Sequence, residues 1–293
     1  MQATAGLTLR EEHRCHGGSV QFYEHQSEVL GLPARFGVFL PPAALEGKRV
    51  PVLYVLAGLT CTDETFLIKS AALAEAARLG LAIVAPDTSP RGAGLPGEDT
   101  DWDMGTGAGF YLDATQEPWN RHYRMDSYIS RELPALAEAA LPLDGARRGI
   151  TGHSMGGHGA LVHALRNPEF WKSVSAFAPI VHPSAVPWGQ KAFTAYLGED
   201  RTAWRAYDAV CMLEDGLSHP TTILVDQGDA DQFLERELQP WHLETAAKAV
   251  GQKLILRRHA AYDHSYWFVQ SFACEHLRHH AAILGGLYAA VRP

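Results

Sequence analysis

The serine at position 154 stands in the run Gly152-His153-Ser154-Met155-Gly156, which has the form G-x-S-x-G. Between a strand and a helix, this motif makes a sharp turn that lifts the serine hydroxyl clear of the backbone for attack on a carbonyl. Side chains two residues before and after the serine would collide in that turn, which explains both glycines. The motif alone also fits a glycine-rich turn with an ordinary serine. The apolar run before it and the helix-like run after it favour a nucleophile, with a helix that begins at Met155 and points its positive end at the developing anion.

A serine nucleophile needs a histidine base and a carboxylate that orients the base. Three aspartates, Asp226, Asp229 and Asp231, lie at or after the end of one late predicted strand, and two histidines, His259 and His264, follow the last predicted strand. The chain order serine, aspartate, histidine is the order found in α/β hydrolases. We favour Asp231, which lies further out on its loop, because Asp226 at the strand end can be engaged by the sheet edge. We favour His264 because it stands at a loop–helix boundary, although either residue taken alone also fits a solvated loop position.

Two backbone N–H groups are needed to stabilise the oxyanion of the reaction. One is expected from Met155, the residue after the nucleophile, and the other from the loop after an early central strand. That loop contains Gly58 and Leu59, so Leu59 is the predicted second donor, and Gly58 allows close backbone approach. Cys61 lies beside this position and is interpreted either as a substrate contact sensitive to oxidation or as a buried structural thiol.

Other residues that could take part in catalysis or bind a metal or a cofactor are assigned structural roles. His276, His279 and His280 have a metal-compatible spacing on the last predicted helix, but no nearby acid or cysteine completes a site, so no metal is predicted. The glycine-rich run 105–109 follows no strand and opens no clear helix, so no nucleotide cofactor is predicted. His153 and His158 are expected to pack and hydrogen-bond around the nucleophile.

Composition limits the class of protein. The chain has 293 residues, of which 46% are hydrophobic and 20% charged, and a net charge of −8 with no basic run, which disfavours nucleic-acid binding. The N-terminal residues lack the features of a signal peptide, and no apolar stretch reaches the length of a membrane span. Four widely spaced cysteines fit a reducing cytoplasm. Without repeats or a low-complexity linker, the chain is predicted to be a single domain over 1–293.

The predicted elements place these residues at one edge of a sheet. Alternating strands and helices predict an α/β fold with a mostly parallel central sheet and helices on both faces, in which sites form beyond the C-terminal ends of the strands. The segment 86–119 shows no regular pattern and is expected to fold over that edge. Short helices are expected over 180–220. The predicted strands are 19–26, 34–40, 50–56, 81–86, 147–151, 173–179, 222–226 and 253–257, and the predicted helices are 63–79 (with Thr62 or Asp63 as N-cap and Gly80 as stop), 127–140, 155–166, about 239–250 and 266–284.

Several further motifs are distributed along nearly the whole chain. They are Gly58-Leu59-Thr60-Cys61-Thr62, Ala85-Pro86-Asp87-Thr88-Ser89-Pro90-Arg91-Gly92, Gly105-Thr106-Gly107-Ala108-Gly109-Phe110-Tyr111, the region 152–160, Ser175-Ala176-Phe177-Ala178-Pro179, Pro187-Trp188-Gly189, Asp226-Gln227-Gly228 and Tyr262-Asp263-His264-Ser265-Tyr266. Together they resemble the motifs of the S-formylglutathione hydrolase (esterase D) family.

The resemblance implies a cytoplasmic serine thioesterase with an α/β-hydrolase fold and no cofactor. Such an enzyme hydrolyses S-formylglutathione to formate and glutathione in formaldehyde detoxification, and relatives commonly form homodimers. Motif by motif, the family's triad falls on Ser154, Asp231 and His264, and its oxyanion donors on Leu59 and Met155. The alternatives are a broad short-chain carboxylesterase and a non-catalytic protein of the same fold.

A small acyl pocket is expected, with the long segment and the Trp188 region holding the glutathionyl part. Gly58, Cys61 and Trp188 are therefore candidate substrate contacts. The family often has glycine where Ala261 stands, and Asp229-Ala230 replaces a more variable pair before the acid. Neither departure removes a catalytic group, although Ala261 is expected to shift the histidine loop slightly.

Overall fold

A nine-stranded sheet forms the centre of the computed structural model, which describes residues 6–285. The strands lie in the order β1-β2-β3-β5-β4-β6-β7-β8-β9. The β1–β2, β2–β3 and β3–β5 pairs are antiparallel, and every pair from β5 to β9 is parallel, so the predicted mostly parallel sheet is confirmed. The strands are β1 (Thr8–Cys15), β2 (Gly18–Gln26), β3 (Pro33–Leu40), β4 (Val50–Leu56), β5 (Ala82–Pro86), β6 (Leu143–Gly152), β7 (Ser173–Phe177), β8 (Ile223–Gly228) and β9 (Leu254–His259).

The predicted strands agree with the observed ones to within a few residues, apart from one that the sequence did not reveal. Strands β4 and β5 are buried along their whole length, as their continuous apolar runs indicate for strands covered on both faces. Strand β1 was not predicted. Its residues are exposed or half-buried throughout, so it has no apolar alternation that could be recognised.

Helices pack on the two faces of this sheet, and two predicted helices need correction. The predicted helix 63–79 is two helices separated at 70–72, where Ala71 adopts a φ of 54°. Its N-cap is Glu64 rather than Thr62 or Asp63, whereas Gly80 ends it as predicted, with a φ of 66°. The helix predicted over 127–140 begins at Met125 and contains a π-turn at 128–132. The helices are α1 (Pro42–Leu45), α2 (Thr65–Lys69), α3 (Leu73–Leu79), α4 (Met125–Ser127), α5 (Leu133–Ala140), α6 (Met155–Arg166), α7 (Pro187–Leu197), α8 (Arg201–Trp204), α9 (Ala209–Glu214), α10 (Pro240–Val250) and α11 (Tyr266–Leu284).

The long segment after β5 folds onto the loop that follows β4, as expected. The Tyr111 hydroxyl donates to the carbonyl of Ala57 at 2.9 Å, and the N–H of Thr60 donates to the carbonyl of Gly107 at 2.9 Å. Phe110 and Tyr111 are buried, with φ values of 49° and 52°. These contacts fix the loop that contains the predicted oxyanion donor Leu59.

The parallel register brings the predicted site residues to one edge of the sheet. Leu56 at the end of β4 pairs with Gly152 at the end of β6, and Gly228 at the end of β8 pairs with His259 at the end of β9. The loops that follow these four strands therefore meet, because the carboxyl ends of parallel strands share an edge. Within residues 6–285, none of the helices combines the length and apolar character of a membrane span.

Candidate active site

Ser154 occupies a strained turn between β6 and α6. Its φ and ψ are 60° and −119°, a conformation that L-residues rarely adopt, and only 3% of the residue is exposed. Its N–H donates to the carbonyl of Phe177 on the neighbouring strand at 2.9 Å, which holds the turn against the sheet. Such strain persists only where the surroundings enforce it, and it is concentrated at functional sites. The turn therefore has the sharp strand-to-helix geometry that the sequence predicts for a serine nucleophile, which is called a nucleophile elbow.

Three glycines make this turn sterically feasible. A Cβ atom on Gly152 would lie 2.1 Å from the carbonyl oxygen of Gly156, and a Cβ on Gly156 would lie 2.0 Å from the carbonyl oxygen of Leu56. A Cβ on Gly58 would lie 3.1 Å from the Cβ of Ser154. The backbones of β4, β6 and α6 thus approach one another so closely that a side chain at 152 or 156 would force them apart.

Two backbone N–H groups beside Ser154 are free to bind an anion. Among residues 6–285, neither the N–H of Leu59 nor that of Met155 has a hydrogen-bond acceptor. Their neighbours are engaged, since the N–H of Thr60 donates to Gly107 and that of Gly156 donates to His153. Met155 is also the first residue of α6, where the positive end of the helix favours negative charge. The two predicted oxyanion donors are therefore available.

His264 and Asp231 form a close pair. The Nδ1 atom of His264 lies 2.6 Å from Oδ2 of Asp231; the Asp231 side chain is fully shielded from solvent, and that of His264 is 12% exposed. Asp231 also accepts hydrogen bonds from the N–H of Phe233 at 2.8 Å and from Nε2 of Gln227 at 3.2 Å. These donors fix the carboxylate, which in turn fixes the imidazole ring and its Nδ1–H tautomer.

The other candidate acids and the other candidate base have different partners. Asp226 receives two hydrogen bonds of 2.6 Å from Arg257 and one of 3.1 Å from His276, and His259 lies 3.3 Å from it. Burial opposes ionisation of Asp226, but the bonds from His276 and Arg257 outweigh it and lower its pKa. Asp229 accepts a bond from Arg258 at 2.7 Å. The structure thus brings only Asp231 to His264 among the three aspartates.

His153, beside the nucleophile, packs on His264. The two ring centroids are 4.6 Å apart, and neither ring nitrogen of His153 has a hydrogen-bond partner among residues 6–285. Complete burial, together with the nearby His264, holds the pKa of His153 well below its usual value. His153 is therefore neutral and adds no positive charge that would oppose formation of a His264 imidazolium. His158 also has the predicted structural role, since its Nε2 lies 3.0 Å from the carbonyl oxygen of Phe110.

A cavity of about 160 Å³ joins Ser154 to His264. Trp188 is buried in its wall, between Trp102 at a centroid distance of 5.6 Å and Phe233 at 4.6 Å. The lining residues are Gly58, Leu59, Cys61, Trp102, His153, Ser154, Trp188, Phe233, His264, Ser265 and Tyr266.

Trp102, Phe233 and Tyr266 were not assigned to the site from the sequence. Phe233 and Tyr266 each stand two residues after a predicted catalytic residue, and that proximity was the available signal. Trp102 lies in the long segment, where no local pattern distinguishes an aromatic residue that lines the cavity from one that packs elsewhere.

Cys61 lies in the cavity wall and is a protonated thiol at neutral pH. Burial raises the pKa of Cys61 above its usual value, although a hydrogen bond to Thr65 and the nearby Lys69 ammonium act in the opposite direction. A raised pKa reduces the thiolate fraction and therefore the reactivity of the group. This environment resembles that of a buried structural thiol more than that of an activated nucleophile.

Ala261, one of the two departures from the family's motifs noted in the sequence, adopts a backbone conformation that favours glycine. Its φ is 66°, in the left-handed region that glycine enters without a steric penalty. The loop still delivers His264 to Asp231 at 2.6 Å. The alanine therefore adds local strain without separating Asp231 from His264.

One group of potential metal ligands occurs in the described part of the chain. Ligand atoms of His182, Asp208 and Cys211 lie within 4.8 Å of one another. Nδ1 of His182 lies 2.8 Å from Oδ2 of Asp208, which also accepts a bond from the Ser184 hydroxyl. Although burial opposes it, hydrogen bonding to Asp208 and Cys211 raises the pKa of His182 to about 10. The three groups therefore satisfy one another as an ion pair with a neighbouring thiol.

The three histidines with metal-compatible spacing on α11 face β7 and do not converge on one point. Ser175 Oγ lies 2.8 Å from both Nδ1 of His276 and Nε2 of His280, and Nδ1 of His280 lies 2.7 Å from Ser173 Oγ. Nε2 of His279 lies 3.2 Å from the carbonyl oxygen of Val174. These side chains connect the helix to the sheet.

Comparison with known proteins identifies the family. The Esterase family model matches residues 27–279. The S-formylglutathione hydrolase of Rattus norvegicus is 48% identical over 273 residues, which cover 93% of this chain and 96% of that protein. The S-formylglutathione hydrolase of Arabidopsis thaliana is 51% identical over 281 residues, covering 96% of this chain and 99% of that protein. The chain belongs to the S-formylglutathione hydrolase family.

The fold agrees with this membership. The solved structure of an S-formylglutathione hydrolase from Agrobacterium tumefaciens matches with a TM-score of 0.92 and 50% identity, over 94% of this chain and 99% of that chain. The chain is therefore a hydrolase with the α/β-hydrolase fold. The family resemblance stated from sequence motifs is confirmed.

Proposed function

We propose that this chain hydrolyses S-formylglutathione to formate and glutathione. Ser154 is the nucleophile, His264 is the general base, and the Asp231 carboxylate orients His264. The observation that carries the proposal is the shared cavity. Ser154 and His264 line it together, Asp231 holds His264, and the free N–H groups of Leu59 and Met155 lie beside Ser154. Relatives of about half-identical sequence that carry the name S-formylglutathione hydrolase support the choice of substrate.

Acylation begins with transfer of the Ser154 hydroxyl proton to Nε2 of His264 while Oγ bonds to the formyl carbon. Asp231 keeps the His264 proton on Nδ1, so that Nε2 is the basic nitrogen, and stabilises the imidazolium that forms. The carbonyl oxygen becomes an oxyanion that accepts hydrogen bonds from Leu59 and Met155. Fixed donors of this kind contribute about 3–4 kcal/mol to transition-state stabilisation.

Collapse of the tetrahedral intermediate breaks the carbon–sulfur bond. The His264 imidazolium gives its proton to the leaving sulfur, so glutathione departs as the thiol and a formyl ester remains on Ser154. Water then enters, loses a proton to His264 and attacks the ester carbon. Collapse of the second tetrahedral intermediate returns the proton from His264 to Ser154 and releases formic acid, which ionises to formate in solution. The enzyme is then restored.

Wild-type kcat/KM for S-formylglutathione and for a short-chain aryl ester tests the substrate assignment, with Ser154→Ala as the blank. We expect a preference for the thioester of several hundredfold, which corresponds to about 3 kcal/mol of differential transition-state binding. Comparable values, or a preference for the ester, would reassign the chain to the broad short-chain carboxylesterases. Near-native turnover by Ser154→Ala would refute the mechanism itself.

The setting of the enzyme is part of the same proposal. We place it in the cytoplasm as a single-domain, cofactor-free enzyme of formaldehyde detoxification that forms a homodimer. All four cysteines are free thiols, which fits a reducing compartment. Light scattering of the purified protein tests the dimer, for which a mass near 64 kDa is expected from a chain of 32.0 kDa.

A further inference from the structure

The catalytic cavity is too small for the whole proposed substrate. Its volume of about 160 Å³ lies below the roughly 300–1,000 Å³ of pockets that enclose drug-sized ligands. The formyl group is one carbon, whereas the glutathionyl part is a tripeptide with two carboxylates and one ammonium group. Most of the substrate must therefore lie outside this cavity, on a surface continuous with it.

A groove between α2 and the beginning of α11 adjoins the cavity. Its volume is about 530 Å³, and Ser265 and Tyr266 line both spaces. The remaining lining residues are Ile68, Lys69, Trp267 and Gln270. The groove therefore starts at the catalytic wall and has the volume that a tripeptide needs.

The groove exposes large apolar side chains. Trp267 is 74% exposed and Ile68 is 66% exposed, the two highest values among the exposed large hydrophobic residues in the described part of the chain. Neighbouring exposed apolar groups with a polar rim are typical of binding surfaces. Here they lie on opposite walls, one at the end of α2 and one in the first turn of α11.

Lys69 gives this groove a positive charge that has no ion-pair partner among the described residues. No carboxylate within residues 6–285 lies within ion-pair distance of its ammonium group. The charge acts on the catalytic wall, since it contributes to lowering the pKa of Cys61 against the dominant effect of burial. A carboxylate on a substrate that leaves the cavity along this side would meet an available partner.

Another part of the cavity wall lies beside an acidic cluster. Trp102 and Trp188 lie there, in the region where the sequence suggested that the glutathionyl part binds. Its lysine, Lys191, is paired with Asp101 at 2.8 Å and with Asp103 at 2.5 Å. Two carboxylates for one ammonium give this cluster a net negative charge, which disfavours binding of the two glutathione carboxylates beside it.

We propose that the groove between α2 and α11 binds the glutathionyl part of the substrate, with Lys69 pairing one of its carboxylates and Trp267 and Ile68 packing against its chain. The identity of the ligand rests on the function proposed above. The groove thus selects glutathione thioesters over simple esters, whereas the cavity selects the short acyl group.

Substitutions in the groove should reduce activity towards S-formylglutathione much more than towards a short aryl ester. We expect kcat/KM for the thioester to fall about fivefold in Lys69→Gln, because one partly exposed ion pair is lost. We expect a fall of about tenfold in Trp267→Ala, because an aromatic contact is lost. Lys69→Arg should restore most of the loss, and about 1 M salt should narrow the gap between wild type and Lys69→Gln. Lys248→Gln, at an exposed lysine of α10 that lines neither space, is the matched control.

A second measurement separates the groove from the proposed function. S-methylglutathione, which cannot be hydrolysed, should inhibit aryl ester hydrolysis competitively, with a Ki that rises about fivefold in Lys69→Gln. Equal losses on both substrates would contradict glutathione binding in the groove, even if the enzyme prefers S-formylglutathione. An unchanged Ki in Lys69→Gln, or no inhibition of the wild-type enzyme by S-methylglutathione, would contradict it as well. If wild type shows no thioester preference, the proposed function fails, and the Ki of S-methylglutathione still decides whether the groove binds glutathione.

Discussion

Two aspartate–histidine pairs lie close together in the chain, and the histidine of one of them lines the cavity that contains Ser154. Asp226 bonds to His276 at 3.1 Å, and Asp231, five residues later, bonds to His264 at 2.6 Å. The other ring nitrogen of His276 is taken by the Ser175 hydroxyl at 2.8 Å. Nε2 of His264 has no hydrogen-bond partner among residues 6–285, and its ring lines the cavity that contains Ser154.

The difference shows that an aspartate–histidine bond does not by itself make an acid–base pair. Asp226 is also neutralised by a bidentate bond from Arg257, so it is one part of a structural network that joins β8, β9 and α11. Asp231 is held by neutral donors only, Gln227 and the N–H of Phe233. Its negative charge therefore remains available to stabilise a His264 imidazolium.

The largest expected difference between the two pairs is in turnover. Asp231→Asn should lower kcat about 10⁴-fold, because the amide no longer selects the productive His264 tautomer. Asp226→Asn should leave kcat within a few-fold of wild type and instead lower the free energy of unfolding by about 3 kcal/mol, because it leaves Arg257 without its main partner. Steady-state kinetics and urea unfolding of both variants measure the two effects. The reverse result, with Asp226→Asn inactive and Asp231→Asn active, would contradict the assignment of Asp231 and His264 as the catalytic pair.

A smaller effect is expected from the loop that contains Leu59, one of the two proposed oxyanion donors. Gly58→Ala places a methyl group 3.1 Å from the Cβ of Ser154 and 3.2 Å from the carbonyl oxygen of His153, so the loop must shift by a few tenths of an ångström. We expect kcat to fall about 10- to 100-fold, because the Leu59 N–H moves away from the oxyanion. Gly47→Ala is the control: its Cβ meets nothing within 4 Å, and its φ of 84° predicts a loss of stability without a loss of kcat. Equal kcat values for the two variants would contradict the proposed role of the Leu59 N–H as a donor to the oxyanion.

The smallest expected effect is on the pH dependence of the unfolding free energy, and it concerns the Asp226–His276 pair. Burial lowers the pKa of His276 below 6.5 in the folded protein, although the bond to Asp226 acts in the opposite direction. The unfolded chain then binds more protons below pH 6.5, so the contribution of this group is present above that pH and is lost as the pH falls. His276→Gln should flatten the decline of the unfolding free energy below pH 6.5 by up to about 1.4 kcal/mol per pH unit. An unchanged slope in urea titrations at several pH values would contradict this role.

The elements around the nucleophile were predictable because their signals are local. Helix α6 begins at Met155 and ends at Arg166 as predicted, since the glycines of the elbow and the Asn167-Pro168 stop define both ends. Strand β1 was missed because it is exposed on both faces. The break at Ala71 was missed because the apolar spacing continues through it and only the backbone conformation reveals it.

The sequence predicted the candidate residues of the site better than it predicted their arrangement in space. The sequence placed three aspartates near one strand end, and their different roles depend on Arg257 and Arg258, which the β8–β9 pairing brings to Asp226 and Asp229. That pairing is non-local, so the sequence favoured Asp231 from its place on the loop without revealing the partners of the other two aspartates. The groove beside Lys69 likewise arises from two helices about 200 residues apart in the chain.

Site-mapped labelling with a fluorophosphonate tests the central claim most directly, because the reagent reports an activated serine without requiring any substrate assignment. Intact-mass and peptide analysis should place one adduct on Ser154. The labelling rate should fall at least about 10³-fold in His264→Ala and stay within a few-fold of wild type in His276→Gln. An adduct on another residue, or equal labelling rates in wild type and His264→Ala, would contradict the assignment of Ser154 and His264 as nucleophile and base.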